Sequence, residues 1–525
     1  MAGERRKVVI VGAGMAGLSA GVELCKSGCY DVTILEAMPT CGGSIQTLKG
    51  FGSRAIELGA NWLHGTKGSP VYELAKKHDL LSYSDDSSSS SSDDSVSSPS
   101  YSSIFDESEA KWYNYSSVEE NQFRTESGEC IDTKLVVRAK KMYADALDKK
   151  LAECERPEVV IDQRKCVDEA VAQGFAEELK QHGVISDTKE YRQYWLMYEH
   201  CCRMECMDIG SNTLQDVQLR SYVNYEELEG DYYTTLGRKG YQGILEKLLE
   251  DIPADSIHYN TPVSRIQYAK CHDTNDVALD DEKDDAVVMV TCEDGRTFLC
   301  NHVIVTASIG FLKENVDTLF QPPLPEDKLD AIRIFPYGTV NKIFMKYKRP
   351  FWTSEDFGLQ VLWESPNQDE SEEEEKEKFY RMLTGFDVED KNDDILLGWV
   401  YGRGADYMET LTDEETGQRC TAILRKFLND PSIPEPEKVL CTRWKGNRFQ
   451  RGSYGAFLPV EGSGKETEAF QRPVYSQQTR HGQKVPVLLF AGEACHKSYF
   501  STTHGAMVSG MDQAKVLIKF SSTSD

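Results

Sequence analysis

Apolar residues come in short unbroken runs near both ends of the chain and at helical spacing through much of its middle. Val8-Val9-Ile10-Val11, within Lys7 to Val11, is short and β-branched, which predicts a strand buried on both faces. Met15 to Ser27 then repeats its apolar positions as a helix does, and Asp31 to Glu36 returns to a strand. Helical spacing dominates Thr133 to Leu151 and Val167 to Cys206, with a further helix over Tyr241 to Leu249. Strand composition follows at Val263 to Tyr268, Val287 to Cys292, Val303 to Thr306, Val340 to Tyr347 and Ile395 to Tyr401. A strand over Val487 to Phe490 and a helix over His504 to Phe520 close the chain. Strands and helices alternating at both ends around a helical middle predict an α/β protein with a second, mixed domain.

Three polar stretches interrupt this pattern. Ser84 to Ser103 reads SDDSSSSSSDDSVSSPSYSS, which cannot bury enough apolar surface to order itself and is expected to be a disordered insert. Asp273 to Asp285 and Asp369 to Lys378 read as solvated loops between strands.

A length of 525 residues exceeds what one core usually holds, which favours two domains. The 86 acidic against 59 basic residues give a net charge of -27, which repels nucleic acid and anionic lipid and favours a cationic substrate. Solubility alone would also account for that charge. No membrane span, secretory leader or peroxisomal Ser-Lys-Leu ending is read, and 15 scattered cysteines suit a reducing compartment, so a cytoplasmic location is expected, with nuclear entry left open. Cys201, Cys202 and Cys206 have only His200 beside them, and no metal is expected.

The first strand runs into Gly12-Ala13-Gly14-Met15-Ala16-Gly17, and the second ends at Glu36. This is a dinucleotide signature in which every part has a task. Gly12 makes the tight turn, Gly14 lets the backbone approach a pyrophosphate, and Gly17 lets helix pack on strand. Glu36 is an acceptor for the ribose hydroxyls, with no basic neighbour to favour a 2′-phosphate.

Further motifs narrow the reading: Gly42-Gly43, then Glu57-Leu58-Gly59-Ala60-Asn61-Trp62-Leu63-His64-Gly65, and near the end Gly492-Glu493-Ala494 with Ser501-Thr502-Thr503-His504-Gly505-Ala506. With these the chain resembles the flavin-containing amine oxidases, most closely the animal spermine and N1-acetylpolyamine oxidases. The resemblance spans nearly the whole chain outside the polar inserts. It implies a doubly wound, Rossmann-type FAD-binding domain from residues 1–80, 236–325 and 455–525. A substrate-binding α+β domain with a mixed six-stranded sheet would take residues 81–235 and 326–454. The FAD would be noncovalent, since the position where covalent relatives carry cysteine reads Arg451-Gly452-Ser453-Tyr454.

The resemblance also implies a site. Glu36 would meet the ribose, Val263 the adenine, and Ala16 with Gly43 and Ser44 the pyrophosphate. Gly59, Ala60, Asn61, Trp62, Gly492, Glu493, Thr502 and Thr503 would hold the flavin. Lys342 would orient a water at the flavin, although a lysine on an alternating strand is ordinarily an exposed edge residue. His64 would bind substrate and assist proton movement. Glu205 and Asp208, three apart on a helix, would meet the ammonium groups of the substrate, although a solvated acidic helix end reads the same way. Tyr454, Phe500 and Thr502 would complete the substrate wall. One departure stands out: the family writes Glu-x-x-x-Arg-x-Gly-Gly-Arg, and neither arginine is present between Glu36 and Ser44.

The implied activity is oxidation of a cationic polyamine at a secondary amine, with O2 reduced to H2O2. A histone-lysine demethylase-like oxidase and a catalytically silent scaffold of the same fold are the alternatives, and oligomeric state is left open.

Overall fold

The computed structural model describes residues 5–81, 121–155, 165–268, 288–352, 357–364, 379–390, 392–455, 457–476 and 484–524. The serine-rich insert and both acidic inserts lie outside the described residues.

Arg6–Val11 forms the middle of a six-stranded sheet, flanked by Tyr30–Leu35 on one side and His302–Val305 on the other. Pro486–Phe490 adds beyond His302–Val305 and Ile257–His258 beyond Tyr30–Leu35, all parallel, with Val474–Tyr475 antiparallel at one edge. The central strands are apolar because both faces are covered: Val8, Ile10, Ile304 and Leu489 pack with helices on one, and Val9, Val303 and Leu488 pack with a smaller sheet and helix Ile309–Leu319 on the other. Helix Met15–Ser27 packs on the last helix, Thr503–Ser524, so closely that a side chain at Gly510 would lie 2.1 Å from the Ala16 carbonyl oxygen. A four-stranded sheet, Phe320–Gln321, Val263–Gln267, Val288–Cys292 and Thr297–Cys300, lies beside this layer.

The second six-stranded sheet runs Lys438–Cys441, Val340–Lys346, Asn392–Tyr401, Leu383–Glu389, Gly358–Leu362 and Asn121–Thr125, antiparallel except for the last pair. Helices Thr133–Glu155, Val167–Gln181 and Lys189–Ile209 belong with it. The expected fold class is therefore present: a doubly wound sheet and a mixed six-stranded one.

The helical pattern read as one span from Val167 to Cys206 is two helices. Gly183 and Asp187 adopt φ values of +71° and +63°, which end the first helix and turn the chain. Thr188 then caps the second, its hydroxyl accepting the Tyr191 N–H at 3.1 Å. Strands Asn121–Thr125, Gly358–Leu362, Leu383–Glu389 and Lys438–Cys441 carried no sequence expectation.

Candidate active site

One continuous cavity runs from the glycine turn after the first strand to helix Lys189–Ile209 of the second sheet's layer. At its nucleotide end the wall is backbone. Gly12 has φ +106°, and a side chain there would meet Thr306 Oγ1 at 2.6 Å. A side chain at Gly17 would lie 2.0 Å from the Gly12 carbonyl oxygen, so the helix can approach the strand only through glycine. Gly14 caps the helix and bridges to Gly42, whose N–H donates to the Ala13 carbonyl at 2.9 Å. Gly14, Ala16, Gly43, Ser44 and Val263 line the cavity here.

Glu36 directly follows the second strand, 6% exposed, with Oε2 accepting the Ala13 N–H at 2.7 Å and Oε1 the Met38 N–H at 2.8 Å. Burial raises its pKa, and these amide bonds oppose that rise. Each oxygen keeps a lone pair, so the carboxylate can still accept a ribose hydroxyl.

Among the described residues no arginine lines the cavity. Three helices begin at its wall instead: Met15–Ser27, Ile309–Leu319 and Thr503–Ser524. Their free N–H groups and positive dipole ends favour a pyrophosphate and the reduced flavin. Ser308 caps the middle one, accepting the Phe311 N–H at 3.1 Å and donating to the Gln450 carbonyl at 2.7 Å. A collision-limited glycine turn, a buried acceptor at the strand end and converging helix starts fit an extended dinucleotide cofactor.

The middle of the cavity is the loop from Glu57 to His64. A side chain at Gly59 would lie 1.8 Å from the Ser44 carbonyl oxygen. Lys342 sits on Val340–Lys346, an interior strand, and is only 2% exposed, so the exposed-edge reading of this residue is wrong. Its Nζ donates to the Glu57 and Gly59 carbonyls at 2.8 and 2.9 Å, reaches Asn61 Oδ1 at 3.4 Å, and lies 4.6 Å from the centre of the Trp399 ring. Trp399 is its direct cross-strand partner.

His64 Nδ1 is 2.9 Å from the Tyr232 carbonyl oxygen, which can only accept, so the proton sits on Nδ1 and Nε2 keeps its lone pair. Burial pulls the imidazole down to about 4. It is neutral at physiological pH. Glu493 accepts the Ser501 N–H at 3.1 Å, and burial pushes its carboxyl up to about 8. Thr502 caps the last helix, accepting the Gly505 N–H at 2.9 Å, while the Thr503 hydroxyl is 3.1 Å from the Tyr241 hydroxyl. Ala60, Asn61, Gly492, Glu493, Thr502 and Thr503 all line the cavity.

At the far end, Glu205 and Asp208 line the cavity from one face of helix Lys189–Ile209. Glu205 Oε1 accepts the Tyr222 hydroxyl at 2.9 Å, and burial pushes its carboxyl up to about 7. Asp208 is driven well above its ordinary range, first by burial and then by the charge of Glu205. Glu205 is half-buried and Asp208 keeps exposed surface, and both line the cavity.

Aromatic rings surround the two acids. Trp62 and Tyr454 are among them, the latter donating its hydroxyl to the Met207 carbonyl at 2.8 Å. Phe500 is absent from the lining: it packs behind Tyr225 and Phe457 at ring distances of 5.1 and 4.8 Å, and those two face the cavity in its place. Tyr225, Tyr232, Tyr233, Trp399 and Phe457 were not singled out in the sequence. The only local signal was the Tyr232-Tyr233 pair following Gly230-Asp231, a turn that carries two rings into one wall.

The chain matches the family described as flavin containing amine oxidoreductase over residues 15–518. It is 31% identical to the peroxisomal N(1)-acetyl-spermine/spermidine oxidase of Bos taurus, covering 98% of this chain and 95% of that one. It is 28% identical to the probable polyamine oxidase 5 of Arabidopsis thaliana, with 98% of both chains covered. Among solved structures, a redesigned putrescine oxidase double mutant superposes with a TM-score of 0.65 over 98% of this chain and 99% of that one, at 17% identity, a likeness of fold. A family match across almost the whole length, on a cavity with a dinucleotide end and an acid-bearing aromatic end, makes this chain a member of the flavin-containing amine oxidoreductases, with FAD as its cofactor.

Proposed function

We propose that the chain oxidises polyamines such as spermine, spermidine or their N1-acetylated forms at a secondary amine, yielding an aminoaldehyde and a shorter amine while O2 becomes H2O2. The observation that carries this reading is the pair Glu205 and Asp208, set in an aromatic cavity that also opens on the flavin loop, with no lysine or arginine paired to either among the described residues. A substrate that brings its own cations supplies the missing counter-charge.

Bound FAD supplies the acceptor for the hydride equivalent leaving the carbon beside nitrogen and passes both electrons to oxygen. The chain's residues do the rest. The acids hold distal ammonium groups, while the aromatic wall disfavours charge on the nitrogen that reacts. Neutral His64 offers Nε2 to a substrate N–H. Lys342 spends two N–H groups on Glu57 and Gly59, and the long contact to Asn61 can give way to a water held at the flavin.

In domain terms, residues 1–80, 236–325 and 455–525 serve the cofactor, and 81–235 with 326–454 serve the substrate. A cytoplasmic location is proposed from the free, mostly buried cysteines, and cell fractionation checks it. Among the described residues no helix is long and apolar enough to cross a membrane.

The purified protein should be yellow, bleach when spermine or spermidine is added without air, and regain colour on aeration. Acid precipitation should release the colour to the supernatant. A flavin that no polyamine reduces would refute the reading.

A further inference from the structure

Trp62 stands where the flavin loop meets the second sheet, and its indole is gripped on three sides. Its face stacks on Trp399, centroids 5.7 Å apart and planes at 22°, and its edge meets Tyr233 at 5.5 Å. The third contact is polar: the indole N–H donates to Asp390 Oδ2 at 3.2 Å. The Tyr241 hydroxyl, donating to the Trp62 carbonyl at 2.7 Å, fixes the backbone beneath.

Asp390 is an exposed residue in the connection between strands Leu383–Glu389 and Asn392–Tyr401. Trp399 lies on the second of those strands. A single hairpin therefore gives Trp62 both the ring it stacks on and the acceptor for its proton. An indole nitrogen can only donate. Turning the ring over would preserve stacking but give up this hydrogen bond to a charged acceptor. Asp390 thus decides which of two similar packings the ring adopts.

We propose that Asp390 is a positioning residue: by accepting the Trp62 indole proton it holds that ring as one jaw of the substrate cavity, tightening the grip on an extended polyamine that it does not itself touch. This rests on the polyamine reading above. A competing role, attraction of the substrate by charge, has its own support, because Asp390's charge helps burial push neighbouring Asp387 up to about 7.

Four variants separate the two. Asp390→Asn keeps an acceptor and removes the charge, Asp390→Ala removes both, Trp62→Phe keeps a ring and removes the donor, and the fourth combines Trp62→Phe with Asp390→Ala. With spermine as substrate and flavin absorbance as the check on loading, Asp390→Ala and Trp62→Phe should each raise KM about 3- to 10-fold. In Asp390→Ala kcat should stay within about two-fold, since the lost bond serves binding rather than chemistry. Asp390→Asn should keep the original KM, and the double variant should be no worse than either single one. Asp390→Asn as impaired as Asp390→Ala would transfer the role to charge and overturn the proposal, as would single effects that multiply in the double variant. The Trp62 indole N–H resonance, assigned by its loss in Trp62→Phe, gives a reading without substrate: it should move in Asp390→Ala and hold in Asp390→Asn. If spermine fails to reduce the parent enzyme, the functional reading falls while this resonance still reports whether Asp390 holds the ring.

Discussion

The two ends of the cavity are built from different materials. At the nucleotide end, recognition is backbone: glycines that tolerate no side chain, amides at three helix starts, and one buried carboxylate. At the substrate end it is side chain: two acids and a shell of rings drawn from segments hundreds of residues apart. A backbone site is fixed by a few consecutive residues and fails abruptly when one is changed. A side-chain site spreads its energy over many contacts and should degrade by degrees.

The sharpest break of this comparison is at Gly17. Gly17→Val would drive a branched side chain into the Gly12 carbonyl, 2.0 Å from where the first carbon would sit. Expressed protein should lose its flavin altogether, read as the ratio of visible to ultraviolet absorbance. Retained stoichiometric FAD would mean the backbone end is softer than its geometry indicates.

Lys342→Met tests the join between the ends. Much of the stem remains, while the bonds to Glu57, Gly59 and Asn61 vanish, so FAD should stay while turnover slows on the order of 100-fold. Rapid-mixing measurements of flavin reduction and reoxidation check it, and unchanged rates in both would remove Lys342 from the chemistry.

Gradual failure is expected at the acids. Glu205→Gln and Asp208→Asn should each raise KM for a tetra-amine on the order of 10-fold and for a singly charged amine far less, with kcat little changed. Added salt should raise the parent's KM in the same direction. Equal effects on both substrates would contradict a charge-reading end.

The smallest effect is in pH. With its carboxyl pushed up to about 7, Glu205 is neutral below that pH and anionic above it, while substrate ammonium groups remain charged. KM should therefore fall by a few-fold as pH rises through about 7, and Glu205→Gln should flatten that profile. A KM rising over this range would have the wrong sign for the assignment.

The same contrast explains what the sequence disclosed. Gly12, Gly14, Gly17 and Glu36 were legible because a turn, a helix start and a strand end are local events with fixed spacing. Spacing showed Glu205 and Asp208 only as a helical pair, and their role, like that of Lys342, came through resemblance, because burial of a strand lysine depends on which strands come to flank it. Trp399 gave no signal: what matters is its register opposite Lys342, set by sheet pairing. Phe500 was placed one layer too far forward, since ring-on-ring packing with Tyr225 and Phe457 is decided in three dimensions. The two missing arginines bear on FAD affinity rather than on its identity, and helix Ile309–Leu319, from far along the chain, also opens on the cavity with its own N–H groups.

The parallel sheet carries a temporal consequence. Its strand Arg6–Val11 is translated well before its neighbour His302–Val305 and the next strand out, Pro486–Phe490, which come roughly 300 and 480 residues later. At about 5–20 residues per second, the ribosome takes roughly 25 to 95 s to deliver the outer strand and roughly 15 to 60 s to deliver the direct neighbour. Throughout that interval the apolar edge of Val8 to Val11 lacks its parallel partner. Ribosomes that stall before Pro486 should therefore leave products that aggregate, with that side of the sheet still open.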